Sequence, residues 1–541
     1  MFKSLLYSNS ILCLDIIVIK RKLNKGENNM NMKKLICSVL ALTLCASMLV
    51  GCSGSKNNAS DNSGKTVITV GTNSDITSLD PQNHNDVTSA YMTRHIYSNL
   101  VRLDENNEFV GELAKEWKYV DDVTVEFTLN EGVKFHNGET LTSEDVKFTF
   151  ERQKEMPKVS HLIAMIDSVE VVDDTHFLIH MNTPSNALIS SLAHSGCAIL
   201  NKKHVEEVEA AGGTIEEEPC GTGQYTFGER QSGASFSLVK YDGYFNPEGA
   251  AQNDGINFLV YLEDSARTIA LETGEIDVMI SVPTSDAQRI RDNEALNLDE
   301  KEGTRVEMFI MNTTKAPFDN KLVRKAINYA INKEDIVTAA VDNEGTAFDN
   351  YIGPSAIGYY DTVVKYDYNV ETAKKLLAEA GMADGFEFTV YLAGDMRAKS
   401  ATIIQANLAE IGITMNIEQM ENSTFYEKTG LGEHEACLAG WIANAEPDNT
   451  YRALFTSDKA GEGGNRAFYS NPEVDALVDD AATNRDPEVI QKDYETILAT
   501  ISEDAIWVPL YTMTQMIAHQ KDLQGIYNSP ISMHDLFGMH Y

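Results

Sequence analysis

The sequence predicts an α/β protein of two or three domains. Two helical segments, 371–380 and 400–411, each end at a glycine and lead into a strand, 386–392 and 414–418. This alternation indicates a lobe whose strands are at least partly parallel. About 490 residues follow the N-terminal segment described below, enough for two or three domains of roughly 150 residues each. The apolar share of 43%, with 8% aromatic residues, supports packed cores rather than disorder.

The remaining elements follow from local patterns. Residues 66–70 form a β-rich run closed by Gly71, which predicts a strand. Residues 89–102 and 322–337 place apolar side chains on one helical face, so both are predicted helices. Further expected elements are an Asn137-Gly138 hairpin turn, a helix capped by Thr142, a glycine-permitted tight turn at Gly221-Thr222-Gly223, helices beginning at Asn471-Pro472 and Pro487, and a strand at 506–511 that ends at a proline.

The segment from residue 32 to residue 52 has the layout of an export signal. Lys33 and Lys34 precede an apolar run, 35–50, and small residues lead up to Cys52. The ending Leu-Val-Gly-Cys resembles the lipobox of bacterial lipoproteins, which implies cleavage before Cys52 and a lipid on its sulfur. The alternative is a plain signal peptide, or a buried apolar helix, that carries a chance cysteine.

On this interpretation residues 1–51 are an upstream segment plus a signal peptide, and translation starts at Met30 or Met32. Residues 52–64 are then the lipidated cysteine and a flexible tether, because 53–64 are small, polar and rich in Gly and Ser. We expect the protein at the extracellular face of the cell membrane, or in the periplasmic space of a Gram-negative cell. No later apolar run approaches the roughly 18 residues of a membrane span.

Net charge bears on the possible binding partners, and the cysteine count bears on disulfide bonding. The net charge of −37 argues against nucleic acid and against polybasic binding to lipid surfaces. Apart from Cys52, the cysteines after the signal are Cys197, Cys220 and Cys437. One disulfide with one free thiol, or three buried unpaired thiols, both fit this count.

A series of short motifs runs through the rest of the chain. They are Leu79-Asp80-Pro81, Leu113-Ala114 with Trp117, Val133-Lys134-Phe135-His136-Asn137-Gly138, Leu141-Thr142-Ser143-Glu144-Asp145-Val146, Gly221-Thr222-Gly223-Gln224-Tyr225, Leu271-Glu272-Thr273-Gly274-Glu275-Ile276-Asp277, and Asn312 with Arg324-Lys325-Ala326-Ile327-Asn328-Tyr329-Ala330-Ile331. In content and order they resemble the family 5 extracellular solute-binding proteins, the peptide-, nickel- and oligosaccharide-binding subunits of ABC importers. The resemblance covers about residues 65–541.

The resemblance implies a two-lobed, periplasmic-binding-protein-like α/β fold of class II, with an extra inserted domain and a ligand cleft between the lobes. Lobe I would combine 65–100, 220–307 and 505–541, the inserted domain would be 101–219, and lobe II would be 308–504. Strands near 305–311 and 505–510 would cross between the lobes as a hinge. The expected partners are a peptide or small polar solute and the permease and ATPase subunits, with the protein itself a monomer without a cofactor.

The segment around Trp441 is the most informative for ligand binding. It resembles a family segment in which an aspartate, three residues after a tryptophan, pairs with the α-amino group of a bound peptide. Trp441 matches, but position 444 is Asn444, and a neutral amide supplies no charge. Glu446 or Asp448 would then replace the aspartate, or the ligand lacks that amine. The structural alternative is that Trp441 only fills the core.

Two other places are candidate ligand contacts. Arg397 lies loosely where some family members place a carboxylate-binding arginine, although the Asn-Pro that usually follows is missing; a solvated arginine is the alternative. The loop 83–88 offers Asn85, Asp86 and Thr88 to ligand backbone groups, and a surface turn is the alternative there.

Three classes of function remain in view at this stage. The first is a transport receptor for a peptide, or for a non-peptide solute such as an oligosaccharide or a metal chelate. The second, an enzyme, is disfavoured because the sequence has no His-Glu-x-x-His and no Gly-x-Ser-x-Gly. The third is a surface lipoprotein that uses the same fold for sensing or signalling. A direct metal site is not expected, since His434, His534 and His540 lack metal-ligand spacing.

Overall fold

The computed structural model describes residues 66–104, 108–443, 446–461, 464–530 and 533–541. The predicted signal peptide, the lipidated Cys52, the tether and Asn444 lie outside the described residues. All described residues belong to one unit, Ser63–Tyr541.

Helices and strands alternate along most of this unit. The strands, β1 to β17, are Val67–Thr72, Val101–Leu103, Phe109–Gly111, Ala114–Asp121, Thr124–Leu129, Ile166–Val171, His176–Met181, Tyr225–Gln231, Ser235–Lys240, Gly255–Val260, Val278–Ile280, Leu296–Met311, Gly345–Ala347, Glu387–Leu392, Thr414–Gln419, Ala436–Ile442 and Trp507–Gln520. The helices, α1 to α14, are Val87–Thr93, Ser143–Lys154, Ala187–Leu192, Lys202–Ala210, Asp264–Glu272, Thr284–Arg291, Lys321–Ala330, Lys333–Ala340, Val370–Glu379, Asp395–Ala409, Asn422–Gly430, Pro447–Phe455, Pro472–Thr483 and Pro487–Glu503.

An 11-stranded sheet runs through the molecule. Its order is β15-β14-β16-β12-β17-β11-β1-β10-β9-β8, with β13 paired to β17. Strand β14 is parallel to β15 and β16, and β1 is parallel to β10 and β11. The prediction of an α/β chain with partly parallel strands is therefore confirmed.

Two long antiparallel strands, β12 and β17, join the halves of this sheet. Near Leu296 they pack in a core with β11, α5 and α6. Toward the other end of β12, successive side chains enter two different cores, with Val306 and Met308 on one face and Phe309 and Met311 on the other. A strand buried on both faces favours apolar side chains on both, and the sequence supplies them without a break from Met308 to Met311. These are the strands that the sequence predicts as the hinge. The movement of the lobes about them, and the residue limits of each lobe, stay predictions.

A separate 4-stranded sheet, ordered β4-β5-β7-β6, lies within the segment predicted as the inserted domain. Val125, Phe127, Phe177 and Ile179 point to one face and pack with α2 and α3 in a core of their own. Thr142 and Asp145 form a capping box at the start of α2, as the sequence predicts.

Two predicted helices are wrong in extent. The helix expected over 89–102 ends at Thr93, because the next carbonyls are used elsewhere: His95 O and Ile96 O accept from Tyr225 N and Gly223 N at 3.0 and 2.9 Å. The helix expected over 322–337 is two helices, α7 and α8. Ile331 is extended between them, and Asn332 is the residue before α8, with its amide bonded to Asp335 at 2.8 Å.

Three glycine and proline predictions are also corrected. Pro509 does not end its strand; it lies inside β17 opposite Met308, beside a register shift that tolerates the missing N–H. Gly221 and Gly223 do not serve a positive-φ turn. A Cβ at Gly221 would lie 2.1 Å from Ile96 O, so the glycines permit close approach of two backbones. Gly71 lies within β1 rather than closing it.

The three cysteines among the described residues, Cys197, Cys220 and Cys437, are buried and unpaired. Of the two alternatives that the count allowed, three buried thiols is therefore the one observed. No helix in the part of the chain that the structure describes combines the length and apolar character needed to cross a membrane.

Candidate functional site

A cavity of about 420 Å³ lies between segments that the sequence assigns to lobe I, the inserted domain and lobe II. Its size falls in the range of small-molecule sites. The polar and charged residues that line it include His84, Asn85, Asp86, Arg94, His95, Arg102, Asp104, Glu112, His161, His194, Tyr244, Glu446, Asn449 and Asp535.

The predicted loop 83–88 contributes Asn85 and Asp86 to the cavity wall. Asp86 is the N-cap of α1, where its carboxylate accepts from Ser89 N at 2.8 Å and from Thr77 Oγ1 at 2.5 Å. Despite burial, these bonds hold the pKa of Asp86 below its usual value. Thr88 is not among the lining residues, and its hydroxyl lies 2.7 Å from Ser74 Oγ. Asp86 therefore shapes the wall as a fixed negative charge.

Trp441 lies in β16, opposite Val306 of β12. It packs against the lobe II core and does not line the cavity, whereas the next two residues, Ile442 and Ala443, do. Its buried Nε1 has no hydrogen-bond partner. The core-filling alternative thus describes its present contacts, and a role in ligand binding stays a prediction.

Glu446 and Asp448 flank the start of α12 in different environments. Glu446 lines the cavity, is 5% exposed, and caps the helix by accepting from Asn449 N at 2.8 Å. No described cation is bonded to its carboxyl. Burial, with nearby Asp448, raises the pKa of Glu446 to about 7, although the backbone N–H groups of Asn449 and Asp448 act to lower it. Asp448 is instead bonded twice to Arg452, at 2.9 and 3.1 Å. Of the two carboxyls that could replace an aspartate at 444, Glu446 is the one facing the cavity.

Arg397 is buried rather than solvated. Its guanidinium donates to Glu307 Oε2 at 2.9 Å, and Glu307, 2% exposed, also accepts from Arg305 at 2.7 Å. Arg397 does not line the cavity. A ligand carboxylate would have to compete with Glu307 for this guanidinium, and the binding role of Arg397 stays a prediction.

Two arginines and two acids that sequence reasoning missed lie in the cavity wall. Arg94 bonds Asp535 at 3.1 Å and the carbonyl of Met533 at 2.7 Å. Arg102, which is exposed, has one bond, to the carbonyl of Leu103 at 3.3 Å. Glu112 accepts from Asn99 N at 2.8 Å, and burial raises its pKa to about 7.

No local signal in the sequence marks Glu112. It lies between Gly111 and the Leu113-Ala114 motif and belongs to no pattern of its own. The pairing of β2 with β3 brings it to the cavity. The same pairing places Arg102 on the neighbouring strand.

Two histidines in the cavity wall, His95 and His194, are held neutral. Burial lowers the pKa of His95 and of His194 to about 4. His194 Nδ1 accepts from Gly196 N at 3.1 Å, so its proton is on Nε2. His95 donates from Nδ1 to Tyr91 O at 2.9 Å. These rings therefore add no charge to the cavity at neutral pH.

No metal centre is present within the described ranges. No group of three or more His, Cys, Asp or Glu side chains is placed to hold an ion. The three histidines weighed from the sequence are apart and bonded internally; His434 and His540, for example, contact the carbonyls of Arg466 and Gly538 at 2.8 Å.

A polar contact joins the inserted segment to the end of α13 and the residues that follow it. Asn186, the N-cap of α3, donates from its amide to the carbonyls of Ala481 and Asn484 at 2.9 and 2.7 Å. Arg485 donates to Asn186 Oδ1 at 2.6 Å and lies over the Tyr119 ring, 4.3 Å from its centroid. We call this the 186–485 contact. Because α3 lines the cavity through Ser190 and Ser191, the contact ties one cavity wall to a segment of the predicted lobe II that does not itself line the cavity.

Comparison with known proteins assigns the family. The family model for bacterial extracellular solute-binding proteins, family 5 (middle), matches residues 108–463, more than half of the chain. The chain belongs to family 5 of the bacterial extracellular solute-binding proteins. The resemblance recognised from the motifs is confirmed. Since its relatives are solute-binding proteins, the family 5 chain is not an enzyme.

Curated relatives match along most of their length. Heme-binding protein A of Haemophilus influenzae is 28% identical over 478 residues, covering 83% of this chain and 87% of that protein. The glutathione-binding protein GsiB of Salmonella typhi is 30% identical over 477 residues, covering 86% and 92%.

Solved structures show the same fold. HbpA2 from Haemophilus parasuis superposes with a TM-score of 0.80 at 27% identity, covering 88% of this chain and 99% of that one. The periplasmic binding protein DppA from Helicobacter pylori, solved in complex with the peptide STSA, gives a TM-score of 0.74 at 28% identity, covering 88% and 98%. The predicted two-lobed, periplasmic-binding-protein-like α/β fold is confirmed by these likenesses.

Proposed function

We propose that this substrate-binding protein of an ABC importer captures small peptides that carry a free α-amino group. Importers of this family handle peptides or related ligands, and relatives are named for heme, glutathione and peptides. The observation that carries the choice is Glu446: a buried carboxyl in the cavity wall that accepts from backbone N–H groups and forms no ion pair among the described residues.

Glu446 carries the cost of a buried charge. An ionised carboxylate in a poorly hydrated site is unfavourable unless a cation compensates it, and the raised pKa of Glu446 is the expression of that cost. A ligand ammonium beside this carboxyl would supply the compensating cation. Position 444 carries an amide, so Glu446, two residues later, takes the role that the family's aspartate has in peptide binders.

The alternative carboxyl is already occupied. Asp448 is held by two bonds from Arg452, and Arg452 is held again by Asp479 at 2.8 Å. An ammonium that displaced Arg452 would break an existing ion pair, whereas an ammonium at Glu446 creates a new one. This difference favours Glu446.

The test is calorimetric titration of Ala-Ala-Ala and N-acetyl-Ala-Ala-Ala into the protein expressed from residue 53. We expect the free-amine peptide to bind more tightly, and Glu446→Gln to remove that preference. Breaking a buried ion pair costs about 3–5 kcal/mol, so the loss should be roughly a hundredfold or more in affinity. Asp448→Asn is the matched control and should keep the preference. Equal binding of both peptides to the wild type would contradict the proposal.

The proposal also covers the cellular location of the protein. Proteins of this family are extracellular or periplasmic. We propose that Cys52 carries the lipid anchor, that residues 53–64 tether the folded unit to the outer face of the membrane, and that the lobes close on the ligand before a monomer delivers it to the permease. The Leu-Val-Gly-Cys sequence at residues 49–52 supports the anchor.

A further inference from the structure

We propose that Arg102 and Glu112 form a second charged subsite in the cavity, which binds a zwitterionic end of the ligand: a carboxylate at Arg102 and a cationic nitrogen at Glu112. This inference rests on the proposed function and adds to it the chemical class of the ligand's other end.

The first observation is that two opposite charges lie near each other and do not pair. Arg102 is in β2, and Glu112 directly follows β3, the antiparallel neighbour of β2. Glu112 N donates to Leu100 O at 3.0 Å, which fixes the two backbones side by side. Arg102 nevertheless forms no ion pair with any described residue, and its one bond is the weak one to Leu103 O at 3.3 Å. Both side chains line the cavity.

The second observation is that the carboxyl of Glu112 is incompletely satisfied. Its Oε2 accepts from Asn99 N at 2.8 Å, and Oε1 has no partner among the described residues. Burial raises its pKa although Arg94 and Arg102 lower it, so neither arginine compensates its charge fully. Asp535, which also lines the cavity, is bonded to Arg94. The guanidinium of Arg102 and the carboxyl of Glu112 therefore both have hydrogen-bonding capacity that a ligand can use.

The chemistry of the missing groups follows from geometry and charge. A guanidinium binds a carboxylate through two parallel N–H groups, and a carboxylate with a free oxygen binds an ammonium or guanidinium. A ligand end that carries both charges a few bonds apart satisfies both residues together. Two sources have this chemistry: a peptide that ends in lysine or arginine with a free carboxylate, and an amino-acid head such as the γ-glutamyl end of glutathione.

The position of Glu446 separates these sources. A peptide with a free amine and a basic last residue compensates Glu446 and Glu112 at once. Glutathione has one ammonium, so its amino-acid head at Glu112 would leave Glu446 without a cation. The basic peptide therefore matches more of the cavity's uncompensated charge.

The experiment compares Ala-Ala-Lys with Ala-Ala-norleucine, which keeps the side-chain length and removes the charge, and with glutathione and its des-amino analogue. We expect the wild type to prefer Ala-Ala-Lys by about tenfold to a hundredfold, the range of a hydrogen bond to a charged group. Glu112→Gln, which can still accept from Asn99 N, should abolish that preference. Arg102→Gln should weaken the binding of both tripeptides. In the wild type, tripeptides with a free C-terminal carboxylate should bind more tightly than their C-terminal amides, and Arg102→Gln should erase that difference.

Glu116→Gln and Lys115→Gln are the matched controls, because both residues are exposed on β4 and neither lines the cavity. Tight glutathione binding that depends on its amine and on Glu112 would support the subsite with the amino-acid head as its source. Equal binding of Ala-Ala-Lys and Ala-Ala-norleucine by the wild type, without amine-dependent glutathione binding, would overturn the subsite and leave the peptide function standing. If no tripeptide binds, the proposed function fails instead.

Discussion

Replacing Glu446 by glutamine should stabilise the empty protein at alkaline pH. The pKa of Glu446 is raised from 4.5 to about 7 in the fold. Each unit corresponds to about 1.4 kcal/mol, so the ionised carboxyl costs the fold up to about 3 kcal/mol. Between pH 4.5 and 7 the folded protein binds more protons than the unfolded chain, and its stability therefore falls as pH rises through this window. Glu446→Gln removes the titration and should keep the cap on Asn449 N.

The assay is thermal unfolding of both proteins at pH 5 and pH 8. With an unfolding entropy of ~2.1 cal/mol/K per residue over roughly 480 residues, about 3 kcal/mol shifts Tm by about 3 °C. We expect the variant to exceed the wild type by about this amount at pH 8 and by little at pH 5. The same difference at both pH values would refute the argument that Glu446 is buried without a compensating charge.

Affinity for Ala-Ala-Ala should rise with pH, whereas the stability of the empty protein falls. With a pKa near 7, the ionised fraction of Glu446 falls about tenfold from pH 8 to pH 6. The affinity should therefore fall about tenfold over this range in titrations of the wild type and of Glu112→Gln, but not of Glu446→Gln. Asn444→Asp should strengthen binding of free-amine peptides more than of N-acetylated ones; if the wild type binds the free-amine forms at nanomolar level already, Asn444 does not weaken amine recognition. Cys52→Ala should release the protein from membranes or leave its signal uncleaved in a fractionation experiment, and unchanged pelleting without lipid labelling would remove the anchor. Arg485→Ala should weaken ligand binding about tenfold, because the 186–485 contact ties α3, which lines the cavity, to the predicted lobe II, and it should raise the radius of gyration of the liganded protein in scattering. Lys492→Ala, on α14, is the control, and an unchanged radius would show that the contact does not hold the cleft closed.

The elements that the sequence predicted correctly are those encoded by local or repeating patterns. The helix–glycine–strand alternation of residues 371–418 predicted parallel strands, and Thr142 predicted the start of α2, because periodicity and capping are encoded within a few residues. The errors arose where distant backbone intervenes. Residues 94–102 leave the helix because the chain near Gly223 takes their carbonyls, and Pro509 stays in a strand because β12 has an irregularity opposite it.

The residues of the candidate site also fall into two groups: those that a local pattern predicts, and those that only the folded structure brings to the cavity. Asn85 and Asp86 were predicted from a turn near a motif, and both line the cavity. Glu446 was named only as a substitute for position 444, because sequence distance could not tell it from Asp448. The bond from Arg452 to Asp448, one helical turn later, favours Glu446. Arg102 and Glu112 carry no pattern at all, and strand pairing alone brings them to the cavity.

The measurement that tests the central claim most directly is a crystal structure of the protein with a bound tripeptide. The account predicts that the terminal ammonium nitrogen lies within about 3.2 Å of Glu446 Oε1, in hydrogen-bond contact, while Asp448 stays bonded to Arg452. An ammonium bound at Asp448, or one that contacts no carboxylate, would contradict it.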